Sequence, residues 1–342
     1  MKKFILISLS VLFVLIGLAA IYLFIDPELP NHTDEVITEI TSKKIPELIT
    51  GETGYAKSGS VNIWYEIKNK SLHSKGSVLL LNGSSQPSTD WNQNFIKSIT
   101  DSGYQLIRFD YRGSGFSDWI ENWDSSKPYT IEDMISDAIA VLDQNGIEKV
   151  HLVGYSLGGY IAQKIAIDYP GRVLSLTVLS STADLHDKDH PKFNRTPLSL
   201  IKLYLRAQLV RDDKSFLKFL FKFSKNINAN DSYDMDLKLL GERGLYELHN
   251  RRGYNPDALK QHKAASKRAE SLYNELDKIK IPTLIVHGKK DPILSFELAK
   301  KYSGGIAGSK KVWIDEAGHI ITSDYVDKFR IDFFKILDEN AN

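Results

Sequence analysis

From about residue 60 onward the chain alternates between two kinds of pattern. Short, continuous apolar runs occur at "SVLLLNG" (77–83), "QLIRFD" (105–110), "VHLVGY" (150–155), "LSLTVLSS" (174–181), "TLIVHG" (283–288) and "KKVWID" (310–315). A run without polar alternation suits a strand covered on both faces, as in a parallel sheet. "VNIWYEI" (61–67) does alternate and reads as an edge strand. Amphipathic segments lie between the runs. One ends at Gly103; another opens at Thr130, an N-cap with Asp133 three positions on, and stops at Gly146. A third opens at Leu157 and stops before Pro170, and the last is "YVDKFRIDFFKILDE". Strands alternating with helices predict a doubly wound α/β sheet. From about Leu185 to Glu275 no strand pattern occurs, so this stretch reads as a helical cap inserted over the carboxyl edge of the sheet, where such folds bind ligands. There is no internal repeat.

The N-terminus is patterned differently. Lys2 and Lys3 precede residues 4–25, which carry no charge and as a helix would span roughly 33 Å. The expectation is a membrane anchor at residues 4–25, at the cell membrane, with the rest of the chain outside the cytoplasm. The alternative is a signal segment cleaved to leave a secreted or periplasmic protein. Residues 26–54 are polar, with prolines at 27, 30 and 46, and read as a stalk or linker. The remaining domain would then span 55–342, with its cap at about 185–275.

Composition narrows the chemistry. Hydrophobic residues make up 42% and charged residues 25% of 342, enough for a full core, and a net charge of +1 gives no field that points to nucleic acid. The absence of cysteine removes disulfides, thiolate metal sites and a thiol nucleophile.

The junction after Val150–Tyr155 carries the strongest chemical signal. Gly154-Tyr155-Ser156-Leu157-Gly158, with Gly159 behind, sits where a strand pattern turns into a helix pattern. A serine between glycines at such a turn projects its hydroxyl at the sheet edge, beside the free N–H groups of the helix start. A serine needs a base, and the base needs an acid to orient it. His319, in "DEAGH" after the last strand pattern, is placed as the base. Of the others, His32 lies in the stalk, His73 between strands, His186, His190, His249 and His262 in the insertion, and His151 and His287 inside apolar runs. Asp291, in "GKKDP" after "TLIVHG", is the expected acid, with Asp184 as its rival. The backbone N–H groups of Leu157 and Ser84 are the expected oxyanion donors. The glycine-rich "DYRGSGFSD" (110–118) lacks the lysine of a phosphate loop and reads as a structural turn, with Asp110 and Arg112 fixing loops near the site.

Together these residues resemble the α/β-hydrolase family over about residues 55–340. The resemblance rests on Asn82-Gly83 through Trp91, Asp110-x-Arg112-Gly113-x-Gly115-x-Ser117, Gly154-x-Ser156-x-Gly158-Gly159, Asp291 and Gly318-His319. Where many members have His-Gly, this chain has Asn82-Gly83, and the loop "NGSSQPSTDW" is similar in spacing to the branch containing the anthracycline methylesterases. The resemblance implies a serine carboxylic-ester hydrolase without cofactor or metal, working on a small-molecule ester. Thioesterase, lactonase, acyltransferase, peptidase and perhydrolase chemistry would use the same triad, and a non-catalytic binding protein on this fold is the reading from another class. In the cap, Lys214, Lys218 and Lys222 recur on one face, beside Phe216, Phe219, Leu220 and Phe223. The lysines read as a solvated face or, given the expected anchor, as a membrane-surface contact; the Phe and Leu residues suit an apolar acyl or alcohol group.

Overall fold

The structure is a computed structural model, which describes residues 17, 21–71, 73–191, 197–228 and 236–341. Eight strands form one sheet: β1 (Glu52–Ser58), β2 (Val61–Lys68), β3 (Ser77–Leu81), β4 (Gln105–Phe109), β5 (Val150–Tyr155), β6 (Val173–Leu179), β7 (Thr283–Gly288) and β8 (Lys310–Ile314). Their order is β1-β2-β4-β3-β5-β6-β7-β8. β2 pairs antiparallel with both β1 and β4, and every pairing from β4 to β8 is parallel.

The continuous apolar runs have the expected cause. Successive side chains of a strand point to opposite faces. Leu79 and Leu81 join one core with α3 (Ile131–Gln144), α4 (Leu157–Asp168) and α9 (Phe296–Ser303). Val78 and Leu80 join the other, with α2 (Gln93–Asp101) and α10 (Ser323–Glu339). Helices on both faces leave little polar side for β3 to β7 to show, whereas the edge strand β8 keeps Lys310 and Lys311 exposed. The Thr130 N-cap is present as a full capping box, its side chain accepting from the Asp133 N–H while the Asp133 carboxylate takes the Thr130 N–H at 2.8 Å.

Between β6 and β7 the cap contributes α5 (Leu198–Val210), α6 (Asp213–Asn228), α7 (Leu237–Asn250) and α8 (Ala258–Ser266). The segment expected as a stalk carries α1 (Thr33–Thr41), whose Ile37 and Ile40 pack against Leu217 and Phe221 of α6 and Leu245 of α7. The lysine stripe of α6 faces this segment. Lys218 is only 3% exposed and pairs with Asp26 and, at 3.2 Å, with Asp34; Lys222 donates to the Glu28 carbonyl at 2.8 Å. Lys218 is thus taken out of solvent and neutralised by long-range carboxylates, while Lys214, at 56% exposure, remains solvated.

The membrane anchor, and with it the expected placement at the cell membrane with the remainder outside the cytoplasm, is corrected by the structure. No helix among the described residues is long and apolar enough to cross a membrane. Of the segment 4–25, residues 4–16 and 18–20 lie outside the described residues. At its other end, Tyr22 and Phe24 lie against the cations Lys202 and Arg206 of the cap, at 4.4 and 5.5 Å from the ring centroids.

Candidate active site

Ser156 occupies the one-residue junction between β5 and α4, with φ 54° and ψ −120°, a conformation that is strained for a residue with a side chain. The glycines around it are required by close approach. A Cβ on Gly158 would stand 2.5 Å from the Asn82 carbonyl oxygen, and one on Gly159 would stand 2.5 Å from the Ser181 Cβ. The turn is held from behind: the Ser156 N–H donates to the Leu179 carbonyl at 3.0 Å, and the Ser181 hydroxyl donates to the Ser156 carbonyl at 2.6 Å.

Three residues expected from the sequence meet here. His319 Nε2 lies 3.1 Å from Ser156 Oγ, and His319 Nδ1 lies 2.7 Å from Asp291 Oδ2. With Nδ1–H donating to the carboxylate, Nε2 carries the lone pair that faces the serine hydroxyl. The other Asp291 oxygen accepts the N–H groups of Ile293 and Leu294 at 2.8 and 2.9 Å, so the carboxylate cannot swing away. His319 is 5% exposed, its ring tilted against Tyr155 at 5.1 Å, and its N–H donates to the Ile227 carbonyl at the end of α6. The cap thus holds the loop that presents the imidazole. Asp184 is not part of this chain of bonds: it accepts the His186 N–H within its own loop at 2.8 Å.

Leu157 is the first residue of α4, so its N–H has no carbonyl one turn back to donate to. The loop with Ser84 is pressed against this helix start, because the carbonyls of Leu81 and Asn82 fill the space a Gly158 side chain would need. Asn82 pins the loop: its Oδ1 accepts from Trp91 Nε1, and its amide donates to the Gln86 and Phe109 carbonyls. Asp110 accepts the N–H groups of Ser88 and Phe116 at 2.7 and 3.0 Å, and Arg112 forks onto Asp137 at 2.6 and 2.8 Å, so both act on loops. A cavity of about 330 Å³ opens beside this corner, with Ser85, Trp91 and Tyr155 on the core side and Phe216, Phe219, Leu220 and Phe223 on the cap side. Among the described residues, no group of three or more His, Cys, Asp or Glu side chains could hold a metal ion.

Residues 76–324 match the model of the alpha/beta hydrolase fold family. The chain belongs to that family. This α/β hydrolase is 28% identical, over 75% of its length and 84% of the relative's, to a 2-hydroxy-6-oxononadienedioate/2-hydroxy-6-oxononatrienedioate hydrolase of Klebsiella pneumoniae subsp. pneumoniae. It is 26% identical, over 71% of its length and 85% of the relative's, to a rhodomycin D methylesterase of Streptomyces sp., in keeping with the branch its loops resemble. Among solved structures, an esterase from Exiguobacterium antarcticum superposes with a TM-score of 0.62 at 24% identity, covering 84% of this chain and 99% of that one. The enol-lactonase from Burkholderia xenovorans superposes with a TM-score of 0.63 at 19% identity, covering 83% and 99%. The protein is a hydrolase.

Two residues close to this corner were not expected from the sequence: His262 was set aside with the other histidines of the insertion, and Arg251 carried no reading. His262 of α8 is fully buried and accepts the Ser85 N–H. Arg251, also from the cap, is buried between Trp64 and Phe116, at 4.7 and 4.4 Å from the ring centroids, and pairs with Asp110 and Glu247. Neither shows a local signal, because a histidine and an arginine in an insertion look the same in sequence whether buried or solvated.

Proposed function

We propose that this hydrolase cleaves carboxylic esters through an acyl-enzyme on Ser156. The observation that carries the reading is the unbroken relay from Ser156 Oγ to His319 Nε2 at 3.1 Å and from His319 Nδ1 to Asp291 at 2.7 Å, at a strained turn. Ser156 Oγ attacks the ester carbonyl carbon while His319 Nε2 takes the hydroxyl proton. Asp291 holds the tautomer and stabilises the imidazolium that results. The carbonyl oxygen becomes an oxyanion, which the N–H groups of Leu157 and Ser84 receive. On collapse the bond to the alkoxy oxygen breaks, and His319 returns its proton to the leaving alcohol. Water then attacks the acyl carbon with His319 as base, and the acid leaves as the Ser156 hydroxyl re-forms. The Phe- and Leu-lined cavity suits an apolar group on the substrate. The catalytic unit is read as the sheet with its cap at about 185–275; residues 26–54, expected as a linker, pack on that cap through α1 and supply the start of β1.

Similarity to the hydrolase named for 2-hydroxy-6-oxononadienedioate favours a second reading, in which the same serine site cleaves a carbon–carbon bond of such an oxo acid. Turnover of p-nitrophenyl esters set against turnover of that acid separates the two. For either, a fluorophosphonate is expected to label the full chain once, on Ser156, and Ser156→Ala is expected to lose both labelling and hydrolysis with its fold intact. Labelling and turnover that survive in Ser156→Ala would overturn the assignment.

A further inference from the structure

The loop that carries Ser84 has an unusual support. Ser85 is held at φ 59°, in the left-handed region that costs energy for a residue with a side chain. Its N–H does not meet a backbone acceptor but points into the cap, where His262 Nδ1 accepts it at 2.9 Å. The opposite ring nitrogen, Nε2, lies 3.1 Å from the Arg112 carbonyl, which can only accept. The two partners fix one tautomer: Nε2–H donates to Arg112, and Nδ1 keeps a lone pair for Ser85. Burial holds His262 neutral, with its pKa lowered to about 4. The ring cannot rotate, being packed edge-on to Tyr111 and Tyr129 at 6.0 and 6.1 Å.

We infer that His262 is a positioning residue for the oxyanion hole, a cap side chain that fixes the Ser84–Ser85 peptide plane and so the direction of the neighbouring Ser84 N–H. A peptide plane in a strained turn flips to a relaxed one unless something holds its N–H. Ser85 Oγ donates to the Ser84 carbonyl of the same plane at 2.6 Å, which moves with the plane and cannot anchor it. His262 is the anchor from outside the loop. Its own position is set by α8 in the cap, so the geometry of the donor loop depends on the cap being seated. Ser85 also lines the cavity beside the serine corner. The inference rests on the Ser156 reading and deepens it.

Two substitutions in the full chain test it. His262→Leu fills similar space without an acceptor. His262→Asn keeps an acceptor near the position of Nδ1. On p-nitrophenyl butyrate, His262→Leu is expected to lower kcat about 10- to 100-fold, a fraction of the loss that follows removal of a donor itself, with KM changed less than about threefold. Inhibition by a boronic acid, which mimics the tetrahedral adduct on serine, is expected to weaken by a similar factor. His262→Asn is expected to recover most of both. Wild-type kcat and boronate affinity in a folded His262→Leu would overturn the inference. So would equal losses in the two variants, tracking a shared fall in melting temperature, since that pattern marks a packing role. Ser156→Ala run alongside distinguishes the two levels: a dead Ser156→Ala with a normal His262→Leu refutes only the positioning role, whereas an active Ser156→Ala refutes the nucleophile.

Discussion

Replacing Gly158 by alanine tests the close approach on which the serine turn depends. The new Cβ would lie 2.5 Å from the Asn82 carbonyl oxygen and nearer still to that of Leu81. Both atoms are backbone, at the end of β3 in the centre of the sheet, so no side chain can rotate out of the way. An ordinary carbon contact is about 3.5 Å, so the helix start and the donor loop must separate by roughly 1 Å. Two consequences follow. Overpacking of this kind costs about 1–3 kcal/mol of stability. The movement also parts the Leu157 N–H from the Ser84 loop, and a 1 Å misplacement at a reacting centre costs about 10²-fold in rate. Urea denaturation and steady-state hydrolysis of a p-nitrophenyl ester measure the two separately. Gly171→Ala is the control, since a Cβ there meets nothing within 4 Å. If Gly158→Ala keeps both stability and kcat within twofold of wild type while folded, the backbone contact does not constrain the turn and the reasoning is wrong.

Asp291→Asn is expected to cost about 10²- to 10⁴-fold in kcat with little change in KM, whereas Asp184→Asn, whose amide oxygen can still accept the His186 N–H, stays within about fivefold; the reverse ranking in steady-state kinetics would move the acid to the earlier loop. Phe219→Ala, on the cap wall of the cavity, removes apolar contact worth about 1–2 kcal/mol, so kcat/KM is expected to fall roughly 5- to 30-fold on p-nitrophenyl hexanoate and far less on the acetate; equal losses on both esters would show that the apolar group binds elsewhere. Acid is expected to destabilise the fold through the buried histidines. His151 and His262 are both held down to about 4 from an ordinary 6.5, chiefly by burial. The unfolded chain therefore takes up protons first. Stability is full above pH 6.5 and falls as the pH drops toward 4, by about 1.4 kcal/mol per pH unit for each histidine. Urea midpoints between pH 7 and 4.5 measure this, and a His151→Gln variant with an unchanged slope would remove His151 from the account.

Some of this protein is readable one segment at a time. The six apolar runs correspond to β3 through β8, because strands covered on both faces, as β3 to β7 are, must be largely apolar; β8, at the edge, is covered only in part. The setting of Ser156 is local too: its strand, its glycines and its helix are consecutive in the chain. Asp291 and His319 were legible by order, each following a strand pattern. Other features follow from pairings that no local pattern encodes. β1 has the sequence "ETGYAKS", with most positions exposed or half-exposed, and it becomes a strand only through its antiparallel partner β2. Lys218 reads as a solvated lysine and is buried because Asp26 and Asp34, almost two hundred residues earlier in the chain, neutralise it. His262 and Arg251 lie in an insertion without strand signals, and only the seating of the cap brings one to the Ser85 N–H and the other to the Asp110 carboxylate. Periodicity records which face of an element is covered. It carries no record of which distant element covers it, and the charge, tautomer and reach of a buried polar group depend on that partner.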